Sequence, residues 1–198
     1  IKTPFIGLYG ACSTFSLSLS LGAMFIDGGF ANYVVTGASS HFSSAERQFR
    51  FPLEYGSQRA TTCQWTVTGA GSVLLGKDGF YPEVTYITTG KVKDYGIKDV
   101  NNMGAAMAPS AVDTIYTHFK DTGRDPNYYD CIATGDLGKF GRQITETMLK
   151  SLGCDISKIY VDCGESIYDN GRQDTFSGGS GCGCSASVFT GYFYKQLI

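Results

Sequence analysis

Serine and leucine alternate through "SLSLSL" at residues 16–21, and that period of two fits a half-buried strand. Leu17, Leu21, Met24 and Phe25 also fall on one helical face, so length has to decide. Residues 13–26 are too many for an ordinary strand and run into a strong stop, Asp27-Gly28-Gly29. A buried helix is therefore expected, with small serines that let it approach a sheet closely. "ANYVVTGAS" (31–39) is read as a buried strand, and "GSVLLG" (71–76) and "EVTYITTGKV" (83–92) as two more. "MGAAMAPSAVDTIYTHFKDTG" (103–123) is read as a helix, "YDCIATGD" (129–136) as a strand and "FGRQITETMLKSLG" (140–153) as a further helix. Strands alternating with helices predict an α/β sandwich with a largely parallel sheet.

Composition narrows the class. The 198 residues, 42% hydrophobic and 14% aromatic, suffice for one compact core and not for two large ones. Sixteen basic and eighteen acidic residues leave a net charge of −2 without charge runs. That balance gives no nucleic-acid footprint and no polybasic membrane anchor, and leaves a small neutral or anionic ligand open. Seven cysteines, odd in number and without a C-x-x-C pair, point to free thiols in a reducing, intracellular compartment rather than to disulfides or structural zinc. No cofactor and no metal is implied. No apolar run approaches the roughly 20 residues of a bilayer span. The start at Ile1-Lys2, with no initiator methionine, suggests a fragment.

Two segments resemble each other. "ACSTFSLSLSLGAMF" from Ala11 and "GCSASVFTGYFYKQL" from Gly183 each place a small residue and Cys-Ser before a helix-length stretch. Such a repeat suggests duplicated halves that aim two helix N-termini, at Cys12 and Cys184, into one crevice. Chance similarity explains so short a match about as well.

"GACST" at a strand-to-helix turn, with "SGGSGCGCSAS" opening the later helix, resembles the thiolase superfamily. "SSHFSSAERQFRFPLEYG", "VTGAGSVLLG", "YDCIATGDLG" and "FSGGSGCGCSAS" resemble more closely the stage V sporulation protein AD family of spore-forming bacteria, over nearly the whole chain. The resemblance implies a thiolase-like layered sandwich of two duplicated halves, here incomplete at both ends. Residues 1–100 would be the latter part of the first half and 101–198 the first part of the second. It also implies a protein that binds dipicolinic acid, pyridine-2,6-dicarboxylate, free or as its calcium chelate, for uptake into the developing spore. Other stage V sporulation proteins at the spore inner membrane are the implied partners, with a homodimer compatible and the chain peripheral to that membrane.

In thiolases the cysteine corresponding to Cys12 accepts the acyl group, which requires a histidine to activate it and donors for the developing oxyanion. The loop "ATGDLG", Thr134 to Asp136, lacks the histidine that ketosynthase relatives place there, and "SGGSG" carries Gly179 where thiolases place another. The expectation is a non-catalytic relative. His118, near the end of an amphipathic helix, is read as structural, favoured by the helix dipole, whereas His41, leaving a buried strand, serves equally well as a site residue or a structural one.

What remains suits an anion. Helix N-termini present unpaired N–H groups and partial positive charge, so the starts near Cys12 and Cys184 can each take a carboxylate. The ligand set is Cys12, Ser13, Ser40, His41, Arg47, Asp136, Gly179 and Ser180, with Thr14 and Ser185 as further donors. Singly, serines in a first turn usually cap it and a loop arginine is usually solvated. Asp136 repels a dianion unless it is protonated, paired or bridged by a cation such as calcium. The competing readings are an acyltransferase or ketosynthase-like enzyme using Cys12 with His41 as base, and a membrane-docking scaffold with a vestigial crevice.

Overall fold

Helix α1 (Thr14–Asp27) buries Thr14, Phe15, Ser18, Gly22 and Ile26, a helical stripe of mostly small residues. Gly22 is the closest approach, since a Cβ there would run into Thr36 of the neighbouring strand. The serine–leucine alternation therefore belongs to a helix pressed on a sheet, as its length predicts. This computed structural model describes residues 2–43, 59–79 and 82–198.

The chain is mixed α/β, but its longest ladder is not parallel. Strand β1 (Tyr33–Ser40) pairs antiparallel with β3 (Gly69–Gly76), from Tyr33 opposite Gly76 to Ser40 opposite Gly69. The expectation of a largely parallel sheet is corrected here. Exposure alternates along β3, and Tyr33, Val35 and Leu74 lie on the open face while helices cover the other, an arrangement antiparallel sheets tolerate. Among the described residues, the parallel ladders are two and short. These are β2 (Trp65–Thr66) with β6 (Gly179–Ser180), and β4 (Ile132–Thr134) with β5 (Tyr160–Asp162).

Helix α2 (Met103–Thr122) is capped by Asn102, whose Oδ1 accepts from the Ala105 amide at 3.1 Å, and ends at Gly123 with φ 66°. It crosses α3 (Gly138–Ser151), the connection from β4 to β5, at paired glycines. A Cβ on Gly104 would lie 3.0 Å from the Gly141 Cα. Val112, Phe119, Leu149, Ile156 and Tyr160 form the core around this crossing. A second cluster, Val67, Cys163, Cys184 and Val188, gathers α4 (Cys163–Ser166) and α5 (Cys182–Val188). Beyond α5 a π turn (Phe189–Phe193) leads into α6 (Tyr194–Leu197). No described helix is long and apolar enough to cross a membrane.

Residues 83–92 form no strand, contrary to expectation. They run along α2 instead, where Lys91 lies 3.9 Å from Asp113 and the Thr88 hydroxyl meets His118 Nδ1 at 2.7 Å. High β propensity gives an extended chain, but a strand also needs a ladder partner, and α2 offers side chains only.

Candidate functional site

Cys12 lies in a tight turn before α1, between Ala11 at φ 47° and the N-cap residue Ser13. The sequence placed it within the first turn; it stands one residue before the cap. Amide bonds from Ser13 to the Gly10 carbonyl (3.0 Å) and from Thr14 to the Ala11 carbonyl (3.1 Å) close the turn. Thr14 Oγ1 accepts from the Gly10 amide at 3.0 Å and donates to the Ala11 carbonyl at 2.6 Å. Cys182, at the start of α5, donates its thiol to the same Ala11 carbonyl at 3.1 Å. Ser13 does not cap α1 with its side chain, because its hydroxyl is turned back to the Gly10 carbonyl at 2.6 Å.

The carboxyl of Asp136, in the loop between β4 and α3, is 5% exposed. Its Oδ2 accepts from Ser180 Oγ and from the Gly181 amide, both at 2.9 Å. Burial pushes this carboxyl above the usual range; Cys12, Gly181 and Ser180 oppose the rise, and Asp162 adds to it.

Gly179 is buried and filled around. A Cβ there would lie 2.6 Å from Ile167 Cγ2 and 2.9 Å from Val67 Cγ2, so a histidine side chain has no room without movement. Ser40 Oγ donates to the Val67 carbonyl at 2.7 Å and accepts from the Gly183 amide at 2.9 Å. Amides at the start of α5 are therefore taken by Ser40 and Asp136, which leaves that helix end less able to receive a ligand than the start of α1. Ser40, Asp136, Gly179 and Ser180 form a buried backing, while Cys12 is half-buried and Ser13 and His41 are exposed. Cys184 is fully buried, its thiol pushed up by burial and then by Asp136.

His41 leaves β1, and its Nδ1 lies 3.2 Å from the Ser43 amide and 3.0 Å from the Ser43 hydroxyl. His118 sits on α2 with both ring nitrogens engaged. Its Nδ1 meets Thr88 and its Nε2 meets the Tyr129 hydroxyl at 2.6 Å; burial and then Arg124 lower its basicity. Arg47, with Glu46 and Arg50, lies outside the described residues. Among those described, no cluster of His, Cys, Asp or Glu is arranged to hold a metal ion.

Sequence reasoning passed over three supports. Gln64 Nε2 bridges the Asp136 carbonyl (2.7 Å) and the Gly179 carbonyl (2.8 Å), tying the two loops that lack histidine. Asp162 accepts from the amides of Leu137 (2.9 Å), Gly138 (2.8 Å) and Glu165 (3.0 Å), holding the Asp136 loop beside the start of α4. The signal for it was present, since Asp162 followed by Glu165 has the spacing of a helix-capping box. Trp65 is the third. Phe42 stacks on it at 4.5 Å and 8°, and the Arg59 guanidinium lies over its ring at 4.6 Å and over Phe176 at 4.8 Å.

The family model for stage V sporulation protein AD matches residues 1–198. A stage V sporulation protein AD from Bacillus subtilis (strain 168) is 45% identical over 197 residues, covering 100% of this chain and 58% of that protein. The chain belongs to the stage V sporulation protein AD family. It spans little more than half the length of that curated relative.

Proposed function

We propose that this member of the stage V sporulation protein AD family is a non-catalytic binding protein on a thiolase-like fold, taking dipicolinate beside Cys12. One observation carries the reading: Asp136, in the loop where the resemblance calls for a histidine, is a buried carboxyl held by Ser180 and Gly181, while the second histidine position is a glycine with no space for a side chain. Acyl transfer needs a thiolate and a base that returns protons. A carboxylate held by a serine hydroxyl and an amide is poor at both.

The ligand would meet the turn before α1. Ser13 leaves the first-turn amides of α1 without a side-chain cap, and these suit one carboxylate. Cys12 and the Ser13 hydroxyl line that place, with His41 and Arg47 as candidates for the ligand's second carboxylate. Asp136, Gly179, Ser180 and Ser40 act from behind, by fixing the α5 start, so the Asp136 charge is spent inside the protein rather than on the dianion. A calcium chelate is the other form of ligand that this set admits. In the developing spore, the partners proposed are other stage V sporulation proteins at the inner membrane, with the chain peripheral to it and free to form a homodimer.

A second reading follows from the same carboxyl. A carboxyl whose acidity is weakened by burial is a candidate base for a thiol, which keeps an acyltransferase in view. Calorimetric titration with dipicolinate, beside an assay of thiol release from acyl-coenzyme A, separates the two. Saturable dipicolinate binding without turnover supports the binding protein. Steady thiol release that disappears in Cys12→Ala overturns it.

A further inference from the structure

We infer that His118 is a proton-operated latch: as a neutral ring it holds the extended segment 83–93 against α2, and once charged it lets the segment go. The segment belongs to none of the described ladders, and most of it, Val84, Tyr86 and Val92 included, faces solvent. Side chains hold it instead, at two places on α2. At the first, Lys93 Nζ lies 2.9 Å and Lys91 Nζ 3.9 Å from Asp113, and a Cβ on Gly90 would come within 2.6 Å of Thr114 Oγ1. At the second, one turn further along, the Thr88 hydroxyl meets His118 Nδ1 at 2.7 Å and the Tyr86 ring stands edge-on to the imidazole, centroids 6.5 Å apart. The other ring nitrogen is taken from behind, since the Tyr129 hydroxyl lies 2.6 Å from Nε2. Arg124, which follows α2, closes the place: its guanidinium lies 4.6 Å over Tyr86 and 4.4 Å over Tyr128.

A neutral imidazole has one N–H and one bare nitrogen, so it donates to one of its two hydroxyls and accepts from the other. An imidazolium donates on both sides and accepts on neither, so the second hydroxyl must turn its hydrogen away. The charge would also arise in a half-buried place facing Arg124, and burial first, then Arg124, hold the basicity of His118 below its usual value, with Asp121 on the last turn of α2 opposing them. Tyr86 on the segment and Tyr128 and Tyr129 beyond α2 are the other titratable groups at the ring, and a phenol adds no charge in the acid range. Released, the ring regains water and its ordinary value of 6.5, so the released state binds more protons and acid shifts the population toward it. The latch therefore holds above pH 6.5 and yields as the pH falls below it. It shares no residue with the proposed site beside Cys12, so its failure leaves that reading untouched.

Trypsin reads the segment directly, because a protease needs a stretch of chain freed from the fold, and Lys91 lies within this one. The whole chain and a free peptide of residues 84–97 are digested together at about pH 5.5, 6.5 and 7.5, with products followed by mass spectrometry. The ratio of their rates of cleavage after Lys91 removes the enzyme's own pH dependence. Cleavage after Lys139, on α3, reports global unfolding in the same digest. From the highest pH to the lowest the ratio should rise about threefold or more in the parent and stay flat in His118→Gln, with Lys139 unchanged. A flat parent ratio, an equal rise in His118→Gln or a parallel rise at Lys139 overturns the latch. Thr88→Val decides the matter if His118→Gln does not fold, since it removes the hydroxyl from the segment's side of the contact. Its ratio at the highest pH should stand about threefold above the parent's and gain less on acidification. A Thr88→Val protein cleaved like the parent throughout overturns the inference.

Discussion

Ser180 Oγ donates to Asp136 Oδ2 at 2.9 Å, joining β6 to the loop between β4 and α3 across 44 residues of sequence. The link survives only because the Asp136 loop is itself tied down, by Gln64 at its carbonyl and by Asp162 at the amides that follow. An acceptor built in this way is rigid, buried and already shared, which are properties of a support rather than of a proton shuttle.

Gly179→His tests whether restoring an imidazole restores chemistry. The Cβ alone meets Ile167 and Val67 side chains and approaches Tyr168, so the substitution overpacks a filled site at about 1–3 kcal/mol or more. Thermal unfolding should fall by about 5 °C or more with no acyl-coenzyme A turnover gained. An unchanged melting temperature would show that the loop yields, and that the glycine is not required by space.

Trp65 stacks with Phe42 and lies against the Arg59 guanidinium, and Arg59 Nη2 reaches Asp174 at 2.7 Å. Trp65→Ala should lower the unfolding free energy by about 2–4 kcal/mol in urea, whereas Trp65→Phe keeps most of it. The alanine variant should also weaken dipicolinate binding if His41, next to Phe42, takes part. Equal stability of the alanine and phenylalanine variants would mean that the stack contributes nothing.

His118 gives a pH dependence with a defined sign. Burial and Arg124 lower its folded basicity below the unfolded value of 6.5, so the unfolded chain binds more protons in that window. Stability therefore rises with pH through the window and is lost as the pH falls below 6.5 toward 5. His118→Gln, which cannot titrate, should flatten the part of the profile that His118 causes, as read by urea midpoints at pH 5, 6 and 7. A parent that gains stability on acidification in this range, with the gain absent in the variant, would reverse the assignment.

Much of this arrangement was legible because it is local. The α1 segment declared itself by length and by its Asp-Gly-Gly stop, and the turn before it by "GACST". The direction of the β1–β3 ladder was not legible, because alternation fixes which face is buried and says nothing of the partner's direction. Residues 83–92 failed for a related reason, since propensity is satisfied by any extended chain and the ladder is a long-range decision. Most hidden of all was the use of Asp136. Nothing in "ATGDLG" shows its partners, since its bonds to Ser180 and Gly181 arise only when two distant segments meet.

The measurement that bears most directly on the binding reading is calorimetric titration of dipicolinate into Cys12→Ala and Cys12→Trp. In the proposed site the main donors are backbone amides at the start of α1, which neither substitution removes. Losing one thiol contact costs about 1 kcal/mol, so the alanine variant should bind about fivefold more weakly. Tryptophan fills the space above the helix start and should abolish binding in a protein that still folds, as its circular dichroism and melting temperature would report. Unaltered dipicolinate affinity in a folded Cys12→Trp protein would contradict the account, because the ligand would then sit away from Cys12.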